Sequence, residues 1–256
     1  MMNEYDSLAE IYDIWSKCDP ACIKVRDFYK KIALGCKGTI VELGVGTGEI
    51  ALELACNGRK VIGVDSSIEM IGALRKKAKQ LGCANEIDCI CSDIVTFKLP
   101  VKADLIYFPF RSIGHLLTDE VRIKALTNIK NQCAPGGVFV FDHYIFDEEW
   151  ARMHEGVPRL MCQGEKFNGE KYYIWDTYIY DYKKQVMNCT ITSERVNNGT
   201  VIERKHMPLS FSWFSPEHIK KLLLESGFCI KNVYGDFDYT PLENKCPEQI
   251  WIVSPK

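Results

Sequence analysis

Three glycines spaced two apart, Gly44, Gly46 and Gly48, interrupt the stretch VELGVGTGEIALELA, with the carboxylate Glu42 ahead of them and an apolar helical pattern behind. Two more acids close apolar runs further along: Asp65 ends KVIGVD and Asp93 ends IDCICSD. Glycines at this spacing let a backbone turn with positive φ and approach a ligand closely. An ionised carboxylate is an acceptor only, so it can take both hydroxyls of a ribose diol. Loops of this kind commonly cradle phosphates, and there Glu42 is out of place: a carboxylate beside a phosphate costs Coulomb energy unless it is protonated.

Two ligands fit the glycines. Gly46-x-Gly48-x-x-Ala51 meets the dinucleotide fingerprint, and Asp65 lies about 20 residues beyond, where a ribose-binding acid belongs. The other ligand is S-adenosylmethionine, which carries a sulfonium and an ammonium and has no phosphate. Gly44, Gly46 and Gly48 then let the backbone approach its methionyl portion, and Glu42 holds the ammonium side, directly or through water. Asp65 accepts the ribose hydroxyls, Asp93 takes the adenine amino group, and the Ile94 N–H reaches a ring nitrogen. A cationic ligand suits three acids; a pyrophosphate does not.

Composition narrows the setting. The chain of 256 residues is 46% hydrophobic and 26% charged with a net charge of -2, which gives no electrostatic footprint for nucleic acid. Arg75-Lys76-Lys77 is the longest basic run and reads as a solvated helix face. No stretch approaches the ~20 apolar residues of a membrane span. The 12 cysteines lack disulfide-framework or zinc-ligand spacing, and residues 1–20 do not resemble a signal peptide. Free thiols in a reducing cytoplasm are the expectation.

The elements that must position these residues alternate. TIVELGV, KVIGVD, IDCICSD, ADLIYFPF and VFVFDHY read as five apolar strands separated by helices. One helix is stopped by Gly58, the next opens on a Ser66/Glu69 capping box, and a third runs from Asp119 to Cys133 and is ended by Pro135-Gly136-Gly137. This predicts a doubly wound parallel α/β sheet whose strand C-terminal ends share one edge, and Glu42, Asp65, Asp93, Phe110 and Asp142 fall there. Residues 1–34 form a single helical stripe through Tyr5, Leu8, Tyr12 and Trp15. Residues 158–213 change to strands KYYIWDTYIYD, QVMNCTITSERV and TVIERKHMPLSFSW, with a hairpin at Asn197-Asn198-Gly199. Ser215-Pro216-Glu217 starts a last helix, followed by two closing strands.

VELGVGTGEIALELACNGRKVIGVDSSIEMI, with CSDI, ADLIYFPF and APGGVFVFD, resembles the class I S-adenosylmethionine-dependent methyltransferases over roughly residues 38–145. The tail from Phe214 to Val253 resembles the branch related to the N-methyltransferases of deoxyamino sugars and of glycine. The resemblance implies a seven-stranded, mostly parallel Rossmann-like sheet ending in an antiparallel hairpin. It implies a core of residues 35–157 and 214–256, an antiparallel β insertion at 158–213 over the acceptor, and residues 1–34 as a lid bearing Tyr5 and Tyr12. Ser66, Met70, Phe108 and Phe110 complete the expected cofactor set.

The expected activity is methyl transfer to N, or to O, of a small-molecule acceptor, by in-line displacement. A base matters only where the nucleophile still holds its proton. His143, after strand five, and His115, in FRSIGHLL after strand four, are the candidates, with Tyr12 beside them. Each histidine reads equally as structure: His115 bonding the loop backbone, His143 lining the pocket. Catechol-type methyltransferases hold a metal with an acid after strand four; Phe108-Pro109-Phe110-Arg111 has none, so no metal is expected. The same segment lacks the residues with which DNA amino-methyltransferases hold a base, so no nucleic acid partner is expected. Arg111 pairs either with an anionic acceptor or with Asp119 or Glu120, and some aromatics of the insertion are expected to roof the acceptor. The oligomeric state is left open, a homodimer included.

Overall fold

The computed structural model describes residues 4–17, 20–165, 170–243 and 246–256. After a 3-10 turn at Glu4–Ser7 come α1 (Tyr12–Trp15) and α2 (Ala21–Gly35). The alternating core follows: β1 (Ile40–Leu43), α3 (Ala51–Cys56), β2 (Val61–Asp65), α4 (Ile68–Leu81), β3 (Ile87–Cys91), β4 (Ala103–Phe108), α5 (Asp119–Gln132) and β5 (Cys133–Tyr144). Then come α6 (Glu148–His154), β6 (Arg159–Glu165), β7 (Lys171–Asp181), β8 (Val186–Asn197) and β9 (Thr200–Ser212). The chain closes with α7 (Pro216–Glu225), β10 (Phe228–Tyr234) and β11 (Glu248–Pro255).

The main sheet has seven strands in the order β10-β11-β5-β4-β1-β2-β3. The five strands β3, β2, β1, β4 and β5 pair in parallel, while β11 runs antiparallel to both β5 and β10. The chain winds outward from β1 in one direction and from β4 in the other. The β1–β4 boundary is therefore the switch point, where a crevice opens beyond the strand ends. Both faces are covered, which is why β1 is buried at every position. Ala125, Leu126 and Ile129 of α5 with Ile219, Leu222 and Leu223 of α7 pack on one face. Phe28 and Tyr29 of α2, Leu52 of α3, and Ile71 and Leu74 of α4 pack on the other.

A separate four-stranded antiparallel sheet, β6-β7-β8-β9, follows β5. Alternation in the sequence announces three of these strands; RLMCQGE, forming β6, was missed because only its register with β7 makes it a strand. The N-terminal stripe does not form one helix. It is a 3-10 turn and a single α-helical turn, and α2 restarts after Pro20. Leu8 and Ile11, both buried, pack against Met70 of α4 and against Ile174, Ile191 and Leu209 of the second sheet. The segment is thus wedged between the two sheets rather than laid along one.

Other departures are local. Ser67, not Ser66, caps α4, its hydroxyl accepting the Met70 N–H at 3.1 Å. Adjacent serines offer the same side chain, and the strand before them decides which is in register. Pro135-Gly136-Gly137 does not separate α5 from β5 but lies inside β5, where the β4–β5 register shifts. A Cβ on Gly137 would stand 2.6 Å from the Ala103 carbonyl, so only glycine lets the strands close there. Among the described residues ten cysteines are free thiols, while Cys162 is disulfide-bonded, which the expectation of free thiols did not include. No helix of the described residues is long and apolar enough to cross a membrane.

Candidate active site

A cavity of about 440 Å³ opens at the C-terminal ends of β1, β2 and β4, within the range of small-molecule sites. Its floor is Leu43, Gly44 and Gly46, its far wall Asp65, Ser66, Asp93 and Ile94. Gly44, Gly46 and Gly48 all have positive φ. The Gly46 N–H donates to Asp65 Oδ2 at 2.8 Å, and the Ser67 N–H to Oδ1 at 2.8 Å. The glycine turn and the tip of β2 are therefore one unit, with the Ser66 N–H a further backbone donor to the Asp65 carboxylate. Burial raises the Asp65 pKa, and backbone N–H groups act against that rise. A Cβ on Gly44 would come within 3.0 Å of the Phe108 ring, so the close approach of β4 to the loop also depends on glycine.

The opposite wall is built on a bend. After β4, Phe110 and Arg111 take left-handed backbone conformations, with φ of 58° and 60°. Such strain persists where surroundings hold it, and here buried Asp142 accepts the Arg111 N–H at 2.8 Å and the Tyr29 hydroxyl at 2.5 Å. The bend starts the 3-10 turn Ser112–His115, which delivers His115 to the cavity. His115 Nδ1 lies 3.1 Å from the Ser210 carbonyl of β9, which can only accept. Nδ1 therefore carries the proton, and Nε2 accepts the Tyr5 hydroxyl at 2.7 Å. Burial pushes the His115 pKa down to about 4, so the ring is neutral at pH 7. Tyr12 lies over the glycine turn, 3.7 Å from where a Gly46 Cβ would stand.

Residues 40–137 match the family model described as "Methyltransferase domain". The CcbJ methyltransferase from Streptomyces caelestis has the same fold, with a TM-score of 0.82 over 99% of this chain and 98% of that one at 19% identity. The match to the family model covers less than half of the chain, and it is a likeness to methyltransferases. An uncharacterized methyltransferase of Bacillus cereus is 28% identical over 145 residues, which are 57% of this chain and 64% of that relative. The chain thus spans less than two thirds of that relative's length. CalS10 from Micromonospora echinaspora, an amino pentose methyltransferase whose structure has S-adenosylmethionine bound, matches with a TM-score of 0.64 at 16% identity, over 99% of this chain and 92% of its own. Both structural likenesses are likenesses of fold.

Of the residues singled out from the sequence, Tyr5, Tyr12, Gly44, Gly46, Asp65, Ser66, Asp93, Ile94, Phe108 and His115 line one cavity. Five do not. Glu42 is 1% exposed beneath the loop, accepting the Tyr107 hydroxyl at 2.8 Å and the Ala51 N–H. Burial pushes its pKa up to about 8, so at pH 7 it holds a proton; it fastens the loop to α3 and offers no direct grip on an ammonium. Met70 is buried against the N-terminal segment, Gly48 is pressed between Leu74 and Leu52, and Phe110 packs on the α2–α4 face. His143 is fully buried, stacked 4.3 Å from Phe214, with its pKa pushed down to about 3 by burial, and it does not line the cavity.

Arg111 pairs with Glu248, and Asp119 with Arg122 and His218. Among the described residues, no aromatic of the insertion lines the cavity. Tyr178, Tyr180, Tyr182 and Trp213 gather with Phe146 and Tyr144 into a separate cluster that ties the second sheet to β5. Phe211 reaches the site only by backing His115, with ring centroids 4.1 Å apart. Sequence reasoning missed Glu4, Ser112, Leu116, Leu117 and Ser210 on the cavity wall. Ser112, Leu116 and Leu117 flank His115 and were within reach of the motif; Ser210, in an ordinary alternating strand, carried no signal. Among the described residues no group of three potential metal ligands assembles.

Proposed function

We propose that this chain transfers a methyl group from S-adenosylmethionine to the nitrogen of a small-molecule acceptor. The observation that carries the reading is the cavity's two-sided build: acids at the tips of β2 and beyond β3 on one side, and the neutral Tyr5–His115 pair on the other. Asp65 offers acceptors suited to a ribose diol and Asp93 one suited to an adenine amino group. The open backbone at Gly44 and Gly46 suits a close-lying amino-acid moiety. The bound donor supplies an electrophilic methyl on a sulfonium. Its absence of phosphate suits a wall with acids and no basic side chain among the described lining residues.

The pair then decides between acceptor atoms. Tyr5 donates a hydrogen bond to His115 Nε2, and its oxygen can accept an N–H of the acceptor and aim the nitrogen lone pair. A hydroxyl nucleophile wants a base with a pKa near 7, and His115 at about 4 is too weak for that work. A neutral amine needs alignment more than a base. The bent segment held by Asp142, together with the Ser210 carbonyl, keeps the pair oriented. The amino pentose named for CalS10 supports an amine-bearing acceptor.

The test is product formation. Purified protein given S-adenosylmethionine and a library of amines and alcohols should yield S-adenosylhomocysteine and N-methyl products by mass spectrometry. Methylation confined to alcohols would overturn the choice of nitrogen. Absence of any methyl transfer would overturn the activity.

A further inference from the structure

The charges around the cavity restrict the acceptor further, given the methyl-transfer reading above. Among the described residues lining it, the carboxylates are Glu4, Asp65 and Asp93, and no lysine or arginine joins them. Asp65 and Asp93 belong to the adenosyl side. Glu4 belongs to the other side, its Oε2 lying 3.4 Å from the Ser210 N–H. Ser210 is also the residue whose carbonyl orients His115. Aromatic rings stand at that end, with Leu116, Leu117 and Val121: the Tyr5 and His115 rings meet edge to face at 5.1 Å, and Tyr5 and Tyr12 at 6.2 Å. His115 is held neutral and cannot balance an anion there.

We propose that the acceptor is a phosphate-free small amine, protonated in bulk water, and that Glu4 is the residue that selects it. A carboxylate beside tyrosine rings attracts an ammonium by charge and by the ring faces. A phosphorylated or nucleotide-linked amine brings negative charge against acids with no lysine or arginine among the described lining residues, and like charges at short range disfavour one another. After entry the ammonium loses one proton to solvent. Its nitrogen lone pair forms the N–CH3 bond as the S–CH3 bond breaks, the bonding electrons staying on sulfur, and a second proton leaves the methylated nitrogen.

Matched pairs test this: ethanolamine against phosphoethanolamine, glucosamine against glucosamine 6-phosphate, and further amines with their phosphate monoesters, each offered with S-adenosylmethionine. Release of S-adenosylhomocysteine is the readout. Turnover should be confined to the unphosphorylated members. Glu4→Gln should lower their kcat/KM about tenfold or more with S-adenosylhomocysteine affinity unchanged, and Glu4→Lys should lower it further. Glu4 is exposed, so these variants should retain the fold. Equal or better turnover of the phosphorylated members, an unaffected Glu4→Gln, or no amine turned over by a protein that binds S-adenosylhomocysteine would each overturn the proposal. Failure to bind S-adenosylhomocysteine would instead sink the methyltransferase reading itself.

Discussion

Asp65 holds the glycine turn through the Gly46 N–H, and in the proposed function it also accepts a ligand's hydroxyls. Asp65→Ala should therefore weaken S-adenosylhomocysteine binding by about 1–3 kcal/mol, the scale of lost charge-assisted bonds. Calorimetric titration checks it, and an unchanged affinity would remove Asp65 from the ligand's contacts. In the proposed function His115 acts on the other substrate. His115→Ala should lower kcat by about 100-fold through loss of alignment while leaving S-adenosylhomocysteine affinity as it was. A fall in both together would mean that the histidine only props the wall. Glu42 changes part between sequence and structure: read as a charge facing the ligand, it is a protonated strut under the loop. The preference for a phosphate-free ligand therefore passes to Asp65 and Asp93.

Elements deliver these residues with unequal clarity. The strand–loop–helix rhythm from Thr39 to Asp93 was legible because apolar strands and glycine turns are local patterns, and Gly46 and Asp65 meet where that rhythm puts them. The Tyr5–His115 bond joins residues 110 apart, and no period in a sequence announces such a contact. His143 misled for a related reason. Its place at the end of β5 is right, but β11 and Phe214 cover it, and pairing with a strand a hundred residues later cannot be read at the strand itself. The N-terminal segment is the element with most at stake. Asp13 accepts from Thr47 at 2.6 Å and pairs with Lys77, while Asp6 accepts the Ser67 hydroxyl at 2.6 Å, so the segment is latched to the glycine loop and to the cap of α4. Removing residues 1–16 should leave the far-UV spectrum of the core and speed dissociation of S-adenosylhomocysteine several-fold. A truncated protein with normal dissociation would deny the segment any role as a lid.

At the scale of the whole molecule, buried ionisable groups make stability depend on pH. Burial raises Glu42 to about 8 and Asp142 to about 7, so between pH 6.5 and 8 the folded chain binds protons that the unfolded chain has released. Stability then falls as pH rises, by up to about 1.4 kcal/mol per pH unit for each group. His115 and His143, lowered to about 4 and about 3, act oppositely, and only below about pH 6.5, where the unfolded chain takes up protons that they do not. Denaturant titrations from pH 6.5 to 8 should show this decline, and Glu42→Gln should flatten it. A stability that rises over this window would mean that the two acids are ionised in the folded chain.

The central claim is that the crevice between β1 and β4 takes an adenosyl sulfonium donor and not a dinucleotide, and thermal melting tests it most directly. At 100 times its dissociation constant, S-adenosylhomocysteine should stabilise the fold by about 2.7 kcal/mol, a rise in Tm of roughly 5–10 °C for a chain of this size. NADH should give no rise. A shift with NADH and none with S-adenosylhomocysteine would contradict the account.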